Sequence, residues 1–339
     1  MDDVTKERRL AAKEAAARVK EARATQAEAL ALDDIDALPQ GIETLTELEA
    51  LSLGVAGDLD LSPLTALPGL KALYLDQSGI SDLSSLSGLA GLRKLGLSMT
   101  EVSDLSPLQA LTGLRELDLY AAPVTDLSPL GALTGLEALT LSKTGITDLR
   151  PLRGLVQLKW LVLEDTRVAD IGPLRDLAAL ELLSLEHTDI TELAALGGLA
   201  ALRSLNIGST QVVDLASLAG LHRLEELLMS FGNVTDLSPL MGLPRLRAVS
   251  LMAAAVTDLR PLLAIARLWQ TDGPDEVTYE VAGETLSLEA YDGLRFQDCA
   301  ATKGDPKLHQ LAMQRDDAKR IRTTQAYLQK LPPWPVPLS

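Results

Sequence analysis

The sequence predicts an α/β solenoid: a right-handed stack of short coils, bent into a horseshoe-like arc. A parallel β-sheet lines its concave side, with a helical N-terminal cap and a mixed C-terminal cap. Three observations carry this prediction. A leucine recurs every 22 residues without insertion or deletion, at Leu48, Leu70, Leu92, Leu114, Leu136, Leu158, Leu180, Leu202, Leu224 and Leu246. A fixed period in the twenties is the mark of stacked supersecondary units. Within each period a two-residue alternation gives way to apolar residues three apart, so each unit pairs a short strand with a helical turn. The two ends differ in composition from the middle, as caps over an open apolar core must.

Residues 1–26 read as an N-terminal capping helix. The stretch VTKERRLAAKEAAARVKEARA is rich in Ala, Glu, Lys and Arg, all good helix formers. Ala12, Ala15, Ala16, Val19 and Ala22 fall on one face, with Leu10 pointing away. Large apolar residues do not sustain a heptad, so packing against the first coil is favoured over a coiled coil. Residues 27–47 form an irregular first repeat, with apolar points at Leu30, Leu32, Ile35, Leu38, Ile42 and Leu45.

Residues 48–267 hold ten 22-residue repeats, and the segment from Leu136 to Gln157 shows their plan. Leu139 and Leu141 alternate with Ala138, Thr140 and Ser142, the period of a strand. Leu149, Leu152 and Leu155 follow at spacing three, which suits one or two turns of 3₁₀ or α-helix on the opposite side. Pro151 fits the first turn of that helix, and Asp148 is placed to cap it. The acid recurs at Asp60, Asp82, Asp104, Asp126, Asp170, Glu192, Asp214, Asp236 and Asp258. One acid per repeat, just ahead of the helical turn, reads as a cap rather than a row of metal ligands.

The pattern LxxLxLxxTxIxDLxPLxxLxx resembles the 22-residue leucine-rich repeat of listerial internalins and of the eukaryotic phosphatase-regulatory family. The resemblance covers residues 48–267. It departs at the ninth position, where the family often has Asn and this chain has Thr100, Thr144, Thr166, Thr188 and Thr210. A hydroxyl there can bond the backbone of the turn, so the same ladder is expected with a different side chain. The resemblance implies protein binding by the concave sheet, and it names no partner.

Leu268 begins an eleventh repeat that is not completed, and residues 268–330 form a C-terminal cap. Residues 276–296 suit short strands with a turn near Gly283. Residues 305–330 suit one helix with Asp305 as N-cap and Pro306 at its first position. The tail, 331–339, reads LPPWPVPLS and favours polyproline II. It either lies across the cap or presents Trp334 as a docking anchor.

The net charge of −16 excludes nucleic acid and anionic membranes as partners of the ordinary kind, since both require clustered Lys and Arg. No run of 18 apolar residues occurs and the charged start lacks a signal-peptide core. The single cysteine, Cys299, agrees with a reducing cytoplasm. High Ala, Leu and Arg content points to a bacterial source. No P-loop, HExxH, CxxC or GxSxG occurs, and His187, His222 and His309 fall in unrelated places, so no metal or cofactor is expected. Cys299 is read as a small packed residue, with an effector-type nucleophile as the rival.

The surface is where the repeats stop repeating. Positions 3, 5, 7 and 8 should point to the concave face, because positions 4 and 6 point inward. The ten repeats contain four aromatic residues, Tyr74, Tyr120, Trp160 and Phe231, and all fall on those positions. Val162, Leu182, Leu228 and Met252 share that face with Glu116, Asp118, Glu164, Asp165, Glu186 and His187. Aromatic anchors in a polar rim describe a protein interface. Trp160, Tyr120, Phe231 and Leu228 are the expected anchors, and Glu164, Asp165 and Glu186 the groups that set charge preference. At position 2, Glu137, Lys159, Glu181, Arg203, Glu225 and Arg247 alternate in sign, a structural charge ladder. The expected function is a non-enzymatic cytoplasmic module that binds a protein with a basic or apolar surface. The alternatives are a regulatory or sensor subunit of a larger bacterial assembly tethered by the Pro-rich tail, and an enzyme using Cys299.

Overall fold

A computed structural model describes residues 3–55, 57–269, 277–281, 284–288, 293–314 and 317–330. The chain forms two compact units, Met1–Leu158 and Lys159–Ser339. Among the described residues each unit carries six parallel strands in chain order, twelve in all, joined by short helical turns. The fold is a leucine-rich-repeat solenoid.

The first unit opens with α1 (Asp3–Thr25), which packs on β1 (Ala29–Ile35). Ala15, Val19 and Ala22 are buried in that contact, whereas Ala12 and Ala16 are exposed. The seam is therefore narrower than the sequence stripe: one row at spacing four and three meets the strand, and its neighbours face water. Leu10 is exposed. The Arg18 guanidinium fixes the helix by donating to the Ala31 carbonyl at 2.7 Å. β2 (Ala50–Val55) pairs with β1, and β3 (Ala72–Tyr74), β4 (Lys94–Gly96), β5 (Glu116–Asp118) and β6 (Ala138–Thr140) follow at an unbroken 22-residue register.

The second unit continues the pattern with β7 (Trp160–Val162), β8 (Leu182–Ser184), β9 (Ser204–Asn206), β10 (Glu226–Leu228) and β11 (Ala248–Ser250). In both units the fourth and sixth positions are fully buried, as at Leu139 and Leu141, or Leu205 and Ile207. The turns between strands are 3₁₀, for example Arg150–Gly154 and Ser238–Gly242.

Three devices recur along the coils. The recurrent aspartate does not bond two or three residues into a helix, as an N-cap does. Its Oδ1 accepts the N–H two residues on, at 2.8 Å from Asp126 to Ser128 and from Asp214 to Ala216, each the first residue of the helical turn. The Thr of position 9 is buried, and its hydroxyl donates to the carbonyl three residues back. Thr144 reaches Leu141 at 2.6 Å and Thr210 reaches Ile207 at 2.7 Å, both within one coil. The expected side-chain ladder is thus a set of separate intra-coil staples. The third device has no sequence mark. Position 8 is left-handed in nine successive coils, at φ between 52° and 58°, and no glycine occupies it. Gln77, Met99, Ala121 and Lys143 take it in the first unit; Asp165, His187, Ser209, Phe231 and Ala253 take it in the second. A left-handed L-residue costs about 1–2 kcal/mol. It is held because its N–H bonds the carbonyl of the following coil, Met99 to Tyr120 at 2.7 Å and Phe231 to Met252 at 2.7 Å.

The C-terminal end departs from the sequence reading in its last strand and in its helices. The coil begun at Leu268 is interrupted by a hairpin, β12 (Val277–Val281) with β13 (Glu284–Leu288), and then completed by β14 (Gly293–Arg295). Gly293 pairs with Ala248, so β14 stands where an eleventh repeat strand would stand. Leu294 and Phe296 fill the inward positions, Asp298 is the left-handed residue at φ 55°, and Cys299 takes the place of the buried Thr. The single expected helix over 305–330 is two, α3 (Pro306–Ala312) and α4 (Asp317–Leu328), preceded by α2 (Ala300–Gly304). The break follows Met313, where the Arg320 guanidinium takes up the Gln314 carbonyl at 2.9 Å. Asp305 caps α3 as read, accepting from Lys307 and Leu308. The tail 331–339 and Trp334 lie outside the described residues.

Two substitutions in the same coil separate packing from stapling. Leu205→Ala is expected to cost about 3 kcal/mol in urea unfolding, by cavity formation. Thr210→Val keeps the volume and is expected to cost about 1 kcal/mol, by loss of one hydrogen bond. Equal costs would show that the hydroxyl, not the leucine, limits the coil.

Candidate functional site

Each unit presents a strand face turned away from its leucine core, built from positions 3, 5 and 7 and bordered by the left-handed residue at position 8. On the first unit Tyr74 is 38% exposed and Tyr120 is half-buried. Tyr120 is already engaged: the Lys143 ammonium donates to its hydroxyl at 2.7 Å and stands 5.1 Å from its ring centroid. Glu116 is 3.3 Å from Lys94. Asp118 accepts the Tyr120 N–H at 2.9 Å.

Sequence reasoning missed Asp76, at position 7 of its repeat, which accepts the Ser98 N–H at 2.8 Å. Burial holds the Asp76 and Asp118 carboxyls above the usual carboxylate range, and the charge of Asp76 adds to the effect on Asp118. Between them lies Gly96, where a Cβ would come within 2.6 Å of Asp76 Oδ2 and 3.0 Å of the Tyr74 ring. The missing signal was the pair itself: an acid at position 7 and another at position 5, flanking a coil whose position 5 is glycine.

On the second unit Trp160, Val162, Leu228 and Met252 are half-buried, and Phe231 is 62% exposed. Leu182 is only 6% exposed, in register between Trp160 and Ser204. It supports the face rather than offering free surface, because position 3 is crowded by both neighbouring strands. Glu164 accepts the Ser184 hydroxyl at 2.6 Å, and Glu186 accepts the Asn206 amide at 2.9 Å. Asp165 and His187, both on left-handed turns, pair at 3.4 Å and are exposed. The position-2 ladder is continuous here: Arg203 sits 3.7 Å from Glu181 and 3.1 Å from Glu225, and Arg247 sits 3.6 Å from Glu225. The side chains of these pairs are largely buried and link neighbouring coils.

Glu226 was not foreseen. It occupies position 3, is 5% exposed, and has Arg247 3.6 Å from its Oε1, an atom that receives no hydrogen bond. Burial pushes its carboxyl up, against the pull of Arg247, a hydrogen bond from Ser204 and the charge of Arg203. Glu225 adds to the rise.

Cys299 is fully buried, and desolvation pushes its thiol up, away from the depressed pKa a nucleophile needs. His222 is exposed at a coil junction and His309 lies on α3. No group of three or more His, Cys, Asp or Glu among the described residues is arranged to hold a metal ion. No helix among them is long and apolar enough to cross a membrane.

A family model described as a leucine-rich repeat region matches residues 69–264. An internalin of Listeria monocytogenes is 28% identical over 74% of this chain and 87% of that one, with a TM-score of 0.53. Internalin C2 of the same organism is 25% identical over 70% of this chain and 92% of that one, with a TM-score of 0.51. A leucine-rich-repeat protein of Leptospira interrogans shares the fold at 22% identity, covering 69% of this chain and 68% of that one, with a TM-score of 0.59. No curated protein matches significantly.

The raised carboxyl of Glu226 has a signed consequence. Its proton is held more tightly folded than unfolded, so its contribution is fully present below about pH 4.5, the ordinary glutamate value, and is lost as pH rises through the raised value. Glu226→Gln is expected to match the wild type in Tm near pH 4 and to gain on it steadily toward pH 7. A variant less stable than the wild type by a constant margin at both pH values would mean that the charge is fully compensated by its arginines.

Proposed function

Because the chain belongs to the leucine-rich repeat family, we propose that it is a non-enzymatic binding module that takes another protein on its strand faces. The observation that carries this reading is Phe231. It is 62% exposed on the turn after β10, one coil from Met252, whose carbonyl its N–H bonds, and three residues from half-buried Leu228. A large aromatic ring held in a left-handed turn is costly to expose and has no packing role in the coil. Repeated surfaces of this kind serve macromolecular recognition. Trp160, Leu228 and Phe231 act as apolar anchors of the second unit. Glu164, Asp165 and Glu186 set a rim that favours a basic neighbour, with His187 beside them. Tyr74 and Tyr120 serve the face of the first unit. Val162 and Met252 fill between anchors.

The buried, high-pKa thiol of Cys299 gives the enzymatic reading no support. A free cysteine and the absence of a disulfide partner suit a reducing, cytoplasmic setting.

Affinity capture from native cytosol, comparing the wild type with Trp160→Ala/Phe231→Ala, tests the proposal. A protein retained by the wild type and reduced about tenfold or more on the double variant is expected, since anchor aromatics typically carry 2 kcal/mol or more. Equal retention by both would move the binding site off the strand face.

A further inference from the structure

We propose that the outer edge of β1 takes an extended, basic segment of a partner protein as an added strand, in the groove between β1 and α1. In later strands the third-position N–H bonds a carbonyl of the preceding coil, Ala50 to Glu28 and Ala72 to Glu49, both at 2.9 Å. The fifth-position carbonyl accepts from that coil, as Gly96 does from Leu75 at 2.9 Å. β1 is the first strand of its sheet and has no preceding coil. Ala29 and Ala31, in register with Ala50 and Ser52, turn these groups outward. Both residues are exposed. Of this outward row, among the described residues, only the Ala31 carbonyl has a partner, the Arg18 guanidinium at 2.7 Å. Such a row is a template for pairing with another chain. β1 runs seven residues against three in β3, long enough to hold a strand.

The edge has room beside it. The buried row of α1 packs on β1, and the neighbouring stripe, Glu14, Arg18, Glu21 and Thr25, walls a groove along the strand. Cavities of about 560 and about 260 Å³ lie there and share Arg18 and Glu21 in their linings. The last strand is closed differently: Arg320 of α4, itself buried, donates to the Leu294 carbonyl of β14 at 3.4 Å. Arg18 is exposed, and it keeps Asp33, 3.4 Å away, as a partner when a strand displaces it from Ala31. Charge selects the occupant. Glu14, Glu21, Asp33 and Asp34 line the groove, and Arg18 is the one cation among the described residues lining either cavity. A second copy of the chain would bring these acids against themselves, whereas a segment carrying Lys or Arg meets them. Main-chain pairing supplies the affinity and the acids select the sequence.

The probe is a fluorescein-labelled peptide, Thr-Arg-Val-Arg-Val-Arg-Thr, titrated into the full chain by anisotropy at physiological salt. One counterpart carries Glu for Arg. The other is N-methylated along its core, which keeps the charge and removes the donors. The wild type is expected to bind the arginine peptide, to bind both counterparts at least about tenfold more weakly, and to show slowed amide exchange at 29–33 on binding. Ala31→Pro removes an outward N–H without touching the pairing to β2, a change that edge strands tolerate, and should weaken binding about tenfold or more. Arg18→Ala frees the Ala31 carbonyl and should tighten binding. Glu14→Gln/Glu21→Gln should weaken it about threefold. Glu101→Gln/Asp189→Asn removes the same charge from exposed sites elsewhere and should bind as the wild type does. Thermal melts confirm that each variant folds, and the N-methylated peptide and Arg18→Ala carry the test if Ala31→Pro does not. No binding by the wild type, equal binding of the N-methylated peptide, wild-type affinity in folded Ala31→Pro, or equal loss in the two acid-to-amide variants would overturn the assignment. Self-association of the wild type that Ala31→Pro abolishes would give the edge to a second copy and overturn the basic partner.

Discussion

A 22-residue coil cannot bury its own leucines. Its inward residues, such as Leu139, Leu141 and Leu152, become fully enclosed only when another coil lies on each side. Everything else in each unit follows from that dependence. Coils must repeat at one length, or their leucines fall out of line. Each must turn back through the same angle, and this is why one backbone conformation is imposed on Gln, Met, Lys, His and Phe alike at position 8. The strain of the left-handed turn is held by an N–H to the next coil, so the bond that orders the turn is also the bond that fixes the stacking. The ends obey the same rule. At one, Val19 and two alanines of α1 close the first strand; at the other, β14 supplies one last coil and the helices cover it.

Function is left to the positions that the stacking does not use. The strand faces have little room at position 3, where Leu182 and Glu226 are nearly enclosed, and more at positions 5 and 7. Charge on these faces is poorly solvated, as the raised carboxyls of Asp76, Asp118 and Glu226 show. A surface with half-buried negative charge and a few exposed rings discriminates by electrostatic complementarity as well as by contact area.

The fold was legible because stacking is periodic and periodicity survives in the sequence. The leucine spacing gave the coils, and the Thr and Asp columns gave the staples in kind if not in partner. What escaped notice left no recurring residue type in the sequence. The left-handed turn carries no glycine, because its constraint is tertiary: it comes from the next coil, not from the residue. The last strand was hidden by a hairpin inserted between Leu268 and Gly293, which destroys the register a reader counts by. Asp76 and Glu226 were overlooked for another reason. An acid in a chain of net charge −16 attracts no attention until its neighbours, a glycine or a crowded strand, show that it is half-buried, as Asp76 is, or buried, as Glu226 is.

Cys299 sits where ten earlier coils place their ninth residue, and it is the only thiol of the chain. It is sealed when the last coil is seated and reachable only when that coil lifts. The rate at which a thiol reagent consumes it is therefore a clock for the fraying of this end alone. Read against global unfolding, that clock would report how far cooperativity extends from the cap into the stack.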